Sequence, residues 1–110
     1  MTESDILRSI RLALNGYGRY FRNNVGMATL PNRVVRYGLC KGSSDLIGWT
    51  VVGDVALFTA IEVKRPGKKP TEVQQNFIDR VNKSGGIGFY ATSADEAVEK
   101  LEEMIKIRTK

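Results

Sequence analysis

Glu62-Val63-Lys64 sets a carboxylate and an ammonium two residues apart at the end of an otherwise apolar segment, Val55 to Val63. Residues two apart in a strand share a face, so Glu62 and Lys64 point the same way. A third charge joins them when Gly53-Asp54 is read as a two-residue turn between strands at 45–52 and 55–64. Val52 then lies opposite Val55, Val51 opposite Ala56, Trp49 opposite Phe58 and Ile47 opposite Ala60. The same register puts Asp45 opposite Glu62, with Cβ atoms about 5 Å apart on a common face. Two carboxylates so close repel and resist losing water. Lys64 offsets part of that cost. A divalent cation offsets more, and Mg²⁺ is held by one or two carboxylates together with substrate phosphate. The plainer alternative is a solvated strand end whose acids and lysine have no catalytic role.

Composition narrows the chemistry. The chain has no histidine, which removes Ser-His-Asp triads, histidine-based zinc hydrolases and histidine general bases. Cys40 is the only cysteine, so there is no intrachain disulfide and no thiolate zinc cluster. Catalysis, if any, runs on carboxylates, lysine and an oxygen-preferring metal. The net charge of +5 favours a polyanionic partner, nucleic acid ahead of an anionic membrane. The excess lies outside the last helix, at positions such as Arg8, Arg11, Arg19, Arg22, Arg33 and Arg36. Lys41, Ser43, Ser44, Arg65, Lys68 and Lys69 flank the acid–lysine cluster and are candidate nucleic-acid contacts.

The elements that must position these groups fit one domain over residues 1–110. Ile6, Leu7, Ile10, Ala13 and Leu14 recur at helical spacing, which predicts a helix over 3–15 with Thr2 as its cap. Residues 17–40 are β-like but irregular, with a turn at Pro31-Asn32. After the 45–64 hairpin, a helix is expected over about 71–83, capped by Thr71 and stopped by Ser84-Gly85-Gly86. Ile87 to Ala91 reads as a short strand. Ser93 to Glu96 reads as a capping box opening a last helix. The order is α-β-β-β-α-β-α, an α/β fold with a mixed sheet flanked by helices. Trp49 and Phe58 are expected in the core, and the strand at 55–63 is expected to be covered on both faces. No apolar run is long enough to span a bilayer. The Thr2-Glu3-Ser4-Asp5 start is unlike the basic lead of a signal peptide, so a cytoplasmic location is expected.

Four pieces in order resemble the PD-(D/E)XK nucleases, and within them the small stand-alone VRR-NUC domains of the virus-type replication-repair branch. They are Glu3 ahead of Ile6 and Leu7; Gly42-Ser43-Ser44-Asp45; Ile61-Glu62-Val63-Lys64; and Thr71-Glu72-Val73-Gln74 followed by Phe77 and Gly85-Gly86-Ile87-Gly88. The usual proline before the first aspartate is replaced by Ser44. The resemblance implies a restriction-endonuclease-like fold and hydrolysis of DNA phosphodiesters with Mg²⁺ or Mn²⁺. It also implies structure selectivity for branched, junction or flap DNA, a homodimer, and no small-molecule cofactor. By the same resemblance Asp45, Glu62 and the Val63 carbonyl hold the metal, and Lys64 orients or deprotonates the attacking water. Gln74 and Glu3 complete the catalytic set. Gln74 is equally a capping-box partner for Thr71, and Glu3 or Asp5 equally a favourable charge at a helix start. Three alternatives stand beside the nuclease: a non-catalytic DNA-binding protein on the same scaffold, an RNA-directed nuclease, and a basic domain with no enzymatic role.

Overall fold

A computed structural model describes residues 1–109. Helix α1 runs Glu3–Ala13, and strands β1, β2 and β3 run Gly18–Arg22, Gly26–Leu30 and Arg33–Tyr37. Strands β4 and β5 span Leu46–Val52 and Val55–Val63. Helix α2 covers Glu72–Lys83, β6 Ile87–Ala91, and α3 Ala94–Arg108. The irregular 17–40 stretch therefore holds three separate strands. That gives five strands between α1 and α2 where three were expected.

Four strands form one sheet in the order β1-β4-β5-β6, and β2 and β3 pair apart from it as a two-stranded hairpin. The β1–β4 and β4–β5 pairs are antiparallel and β5–β6 is parallel, so the sheet is mixed. The expected hairpin register holds, from Val52 opposite Val55 through Trp49 opposite Phe58 to Leu46 opposite Ile61. Gly53 supplies the turn with φ +62°, a left-handed conformation that costs glycine little.

Alternation divides the sheet into two faces. On one, Tyr20, Leu46, Ile61, Val63, Ile87 and Phe89 pack with Ile6, Ile10 and Leu14 of the α1 segment and Ala97 and Leu101 of α3. Full burial of a side chain such as Ile61 stabilises the fold by about 1.5–3 kcal/mol. A polar chain crosses this face: the Tyr20 and Thr50 hydroxyls lie 2.8 Å apart, and those of Thr50 and Thr59 2.7 Å. Thr59 closes it by donating to the Leu57 carbonyl. These hydroxyls are buried without orphaned groups, as a stable core requires.

Helix α2 packs on the opposite face, where Gly88 lies against Ile78 and Val81. It covers β6 and the second half of β5. The first half of β5 is open, and Phe58 is 46% exposed and Trp49 41%. Both expectations for this strand are thereby corrected: β5 is central, but it is covered on both sides only from Thr59 onward, and Trp49 and Phe58 are surface residues. Trp49 rests against Phe21 of β1 with ring centroids 5.8 Å apart.

The helix ends follow the sequence closely. Thr2 forms a capping box with Asp5, and Thr71 forms one with Gln74. At α3 only half of the expected box forms. The Ser93 hydroxyl accepts from the Glu96 amide, while the Glu96 carboxylate reaches one residue further back to the Thr92 amide. No helix among the described residues is long and apolar enough to cross a membrane.

Candidate active site

Asp45 precedes β4, and Glu62 lies at the buried end of β5, directly beside Tyr90 of β6. Continuing the β4–β5 register from Leu46 and Ile61 sets Asp45 across from Glu62, on the face that α2 covers. The Asp45 carboxylate accepts a 2.8 Å hydrogen bond from the Val63 amide. Lys64 extends the parallel ladder, its amide donating to the Ala91 carbonyl. Its Nζ lies 3.7 Å from the Glu62 carboxylate. Two acids, a lysine and the backbone of the residue between them meet at one spot.

The electrostatics of that spot are unusual. Glu62 is buried, and one of its oxygens, Oε1, has no hydrogen-bond partner. Loss of water, helped by the neighbouring Asp45 charge, pushes its pKa up to about 8, against the opposing pull of Lys64. A buried carboxylate costs on the order of several kcal/mol unless a positive charge satisfies it. Among the described residues no three His, Cys, Asp or Glu side chains stand together. The oxygen donors at hand are the two acids and the Val63 carbonyl. That set suits a hard cation whose remaining positions are filled by water and phosphate, and does not suit a closed zinc site.

The loop that delivers Asp45 is fixed from an unexpected quarter. Asn23, just after β1, donates its amide to the Ser43 hydroxyl at 2.8 Å and to the Ser44 carbonyl at 2.9 Å. Its backbone amide donates to the Asp45 carbonyl at 2.7 Å. The Ser43 hydroxyl also donates to the Cys40 carbonyl at 2.6 Å. Gly42 closes the loop with φ +85°, and a Cβ there would strike Val73 in the first turn of α2. Nothing in the sequence marked Asn23, since Asn23-Asn24 reads only as turn-forming.

The remaining candidates separate. Gln74 is half-buried at the start of α2, where its Oε1 accepts from the Thr71 amide at 2.9 Å. The cap thus uses the oxygen and leaves the side-chain NH₂ for another partner. The neighbouring Gln75 donates to Asp79 at 2.9 Å. Glu3 is exposed rather than turned to the body of the protein, and it makes no hydrogen bond or ion pair with Asp45, Glu62 or Lys64. Asp5 has taken the capping role at that helix. Ser43 and Ser44, expected as nucleic-acid contacts, are buried: Ser43 braces the loop, and Ser44 Oγ has no hydrogen-bond partner. Lys41, Arg65, Lys68 and Lys69 are exposed. A cleft of about 690 Å³ is apolar; it is lined by Phe58, Phe77 and Val81 among others and contains none of the acid–lysine cluster.

A mixed sheet that delivers an acid before one central strand, and an acid and a lysine at the end of the next, defines a nuclease-like α/β domain. The VRR-NUC domain family matches residues 23–95, and the chain belongs to that family, whose nuclease-like domains act on DNA. Comparison with curated proteins finds no match.

Proposed function

We propose that this chain is a Mg²⁺- or Mn²⁺-dependent endonuclease that hydrolyses phosphodiester bonds in branched, junction or flap DNA and works as a homodimer. The observation that carries the reading is the unpartnered, buried Glu62 Oε1 beside Asp45 and Lys64. A non-catalytic DNA binder gains nothing from burying an acid where phosphates approach. Asp45, Glu62 and the Val63 carbonyl would hold the ion. When bound, such an ion supplies Lewis acidity toward a phosphate oxygen and makes water easier to deprotonate. The chain's own contribution is positional. The Val63 amide fixes one Asp45 oxygen and leaves the other for the ion. Lys64, anchored by its amide to β6, orients the attacking water or takes its proton, and balances charge growing on the phosphate. The Gln74 NH₂ is the next donor along α2. Lys41, Arg65, Lys68 and Lys69 would meet the flanking phosphates. The homodimer has support in the bare apolar face formed by Phe21, Trp49, Val51 and Phe58, which a second copy would cover.

The test is incubation with Mg²⁺, Mn²⁺ or EDTA on duplex, flap, fork and four-way DNA, with the cuts mapped. Metal-dependent incision near a branch is expected. Binding with no metal-dependent incision on any of these substrates would favour the non-catalytic alternative.

A further inference from the structure

The hairpin of β2 and β3 is unexplained by the site. Its strands pair only with each other, and neither packs extensively on another element. Strands of five residues reach about 17 Å from their base. Nearly every side chain on it is in solvent, including Met27 at 58%, Val34 at 57% and Tyr37 at 50%. The tip is the turn Pro31-Asn32 between Leu30 and Arg33. Opposed residues share a face, so Arg36 lies with Met27 and Val34, and Arg33 with Leu30 and Tyr37. Each face thus carries one arginine among apolar side chains. No acidic residue occurs anywhere between Asp5 and Asp45.

The base of the hairpin is tied to the active-site loop. Asn23 precedes it and Leu39 follows it, and the Leu39 amide donates to Asn23 Oδ1 at 3.2 Å. The same Asn23 holds Ser43, Ser44 and Asp45. An object gripped by the hairpin is therefore registered against the acids.

We infer that the β2–β3 hairpin is a DNA-gripping arm: Arg33 and Arg36 meet phosphates, and Leu30 and Pro31 press on bases left unstacked at a branch. The inference rests on the DNA-acting reading and adds the element that would select the substrate. Charge decides the occupant. Two copies stacking their arms would bring arginines together with no acid on either arm to answer them, whereas a polyanion answers both faces at once. A two-stranded ribbon also has the width to enter a DNA groove. Exposed Leu, Met and Pro on a basic scaffold match the wedges that proteins insert at distorted base steps.

The test uses the full chain in EDTA, so that binding is read without cleavage. Binding to a labelled four-way junction and to linear duplex is titrated over a range of salt for wild type, R33A/R36A and Leu30→Ser. The double variant is expected to bind both DNAs roughly tenfold more weakly, with the slope of log K against log[salt] shallower by about 1–2. Leu30→Ser is expected to lose the preference for the junction while keeping the salt slope. Circular dichroism and thermal melting should be unchanged, because the arm lies outside the core. Wild-type affinity, slope and preference in both variants would overturn the arm. So would a change from dimer to monomer, in light scattering, with DNA affinity kept, which would assign the arm to a second copy. If the arm variants lose DNA but the wild type never cleaves with metal, the arm stands and the nuclease reading falls. If the wild type cleaves and the arm variants bind normally, the reverse holds.

Discussion

Asp45 Oδ2 accepts the Val63 amide at 2.8 Å, so the first acid is locked to the backbone of the residue that separates the second acid from the lysine. The fold itself thus holds the Asp45 carboxylate in place. An asparagine in place of Asp45 can keep this hydrogen bond through its amide oxygen, while an alanine cannot. Asp45→Asn is therefore expected to fold and bind DNA as wild type does while cleavage falls by about 10²-fold or more. Asp45→Ala should in addition lose about 1–3 kcal/mol of stability from the orphaned amide. Chemical denaturation of both variants beside a nicking assay checks this; wild-type rates in Asp45→Asn would remove the residue from the site.

Lys64→Met keeps the stem packed and deletes the charge 3.7 Å from Glu62. Cleavage is expected to drop by about 10²-fold or more, with DNA affinity within a few-fold of wild type because other cations carry binding. Single-turnover rates and equilibrium binding, measured on the same preparation, separate the two effects.

Glu62 links stability to pH. Its pKa is about 8 in the folded protein against 4.5 for the ordinary carboxyl, so between these values the folded state holds a proton that the unfolded state has lost. Stability from this group is complete below about 4.5 and is lost as pH rises through about 8. In EDTA, the melting temperature of wild type should therefore fall relative to Glu62→Gln as pH rises across that window. Added Mg²⁺ or Mn²⁺ should restore it most at the alkaline end, where the carboxylate is ready to bind. A wild-type melting profile parallel to that of Glu62→Gln at every pH would refute the assignment.

Asn23→Ala removes the donors to Ser43 and Ser44 and the acceptor for Leu39. A loss of about 1–3 kcal/mol is expected. A fall in cleavage of about tenfold or more is also expected, because small misplacements of a reacting group are costly. Substitution by Asp, which keeps the acceptor but not the donors, should recover little.

Trp49→Arg places a charge on the bare sheet face beside Phe21 and Phe58. Light scattering is expected to show a dimer for wild type and a monomer for the variant, with the fold intact since Trp49 contributes nothing to the core. A monomeric wild type at high concentration would count against the pair.

The sequence was most informative where local physics is strong. Thr2 and Thr71 cap their helices as their side chains dictate, and the two-residue Gly53-Asp54 turn fixed the register that aligns Asp45 with Glu62. It was least informative where a segment has no buried face. The β2–β3 arm shows no apolar alternation because neither side packs on a core, so 17–40 read only as irregular. At α3 the cap expected at Ser93 is shared with Thr92, a one-residue shift that spacing does not resolve.

By itself, then, the sequence determined the β4–β5 pairing and hence which charged residues share a face at its end, because turn length and side-chain alternation are local rules. It also determined, through the absence of histidine, what kinds of chemistry remain. Only the tertiary structure decided what covers each face. Glu3 was expected to complete the site and Trp49 and Phe58 to lie in the core, yet all three are exposed, because burial depends on how far a neighbouring layer extends. The same packing buried Glu62 with a free oxygen and brought Asn23 to the Asp45 loop, contacts between residues distant in the chain that no local pattern encodes.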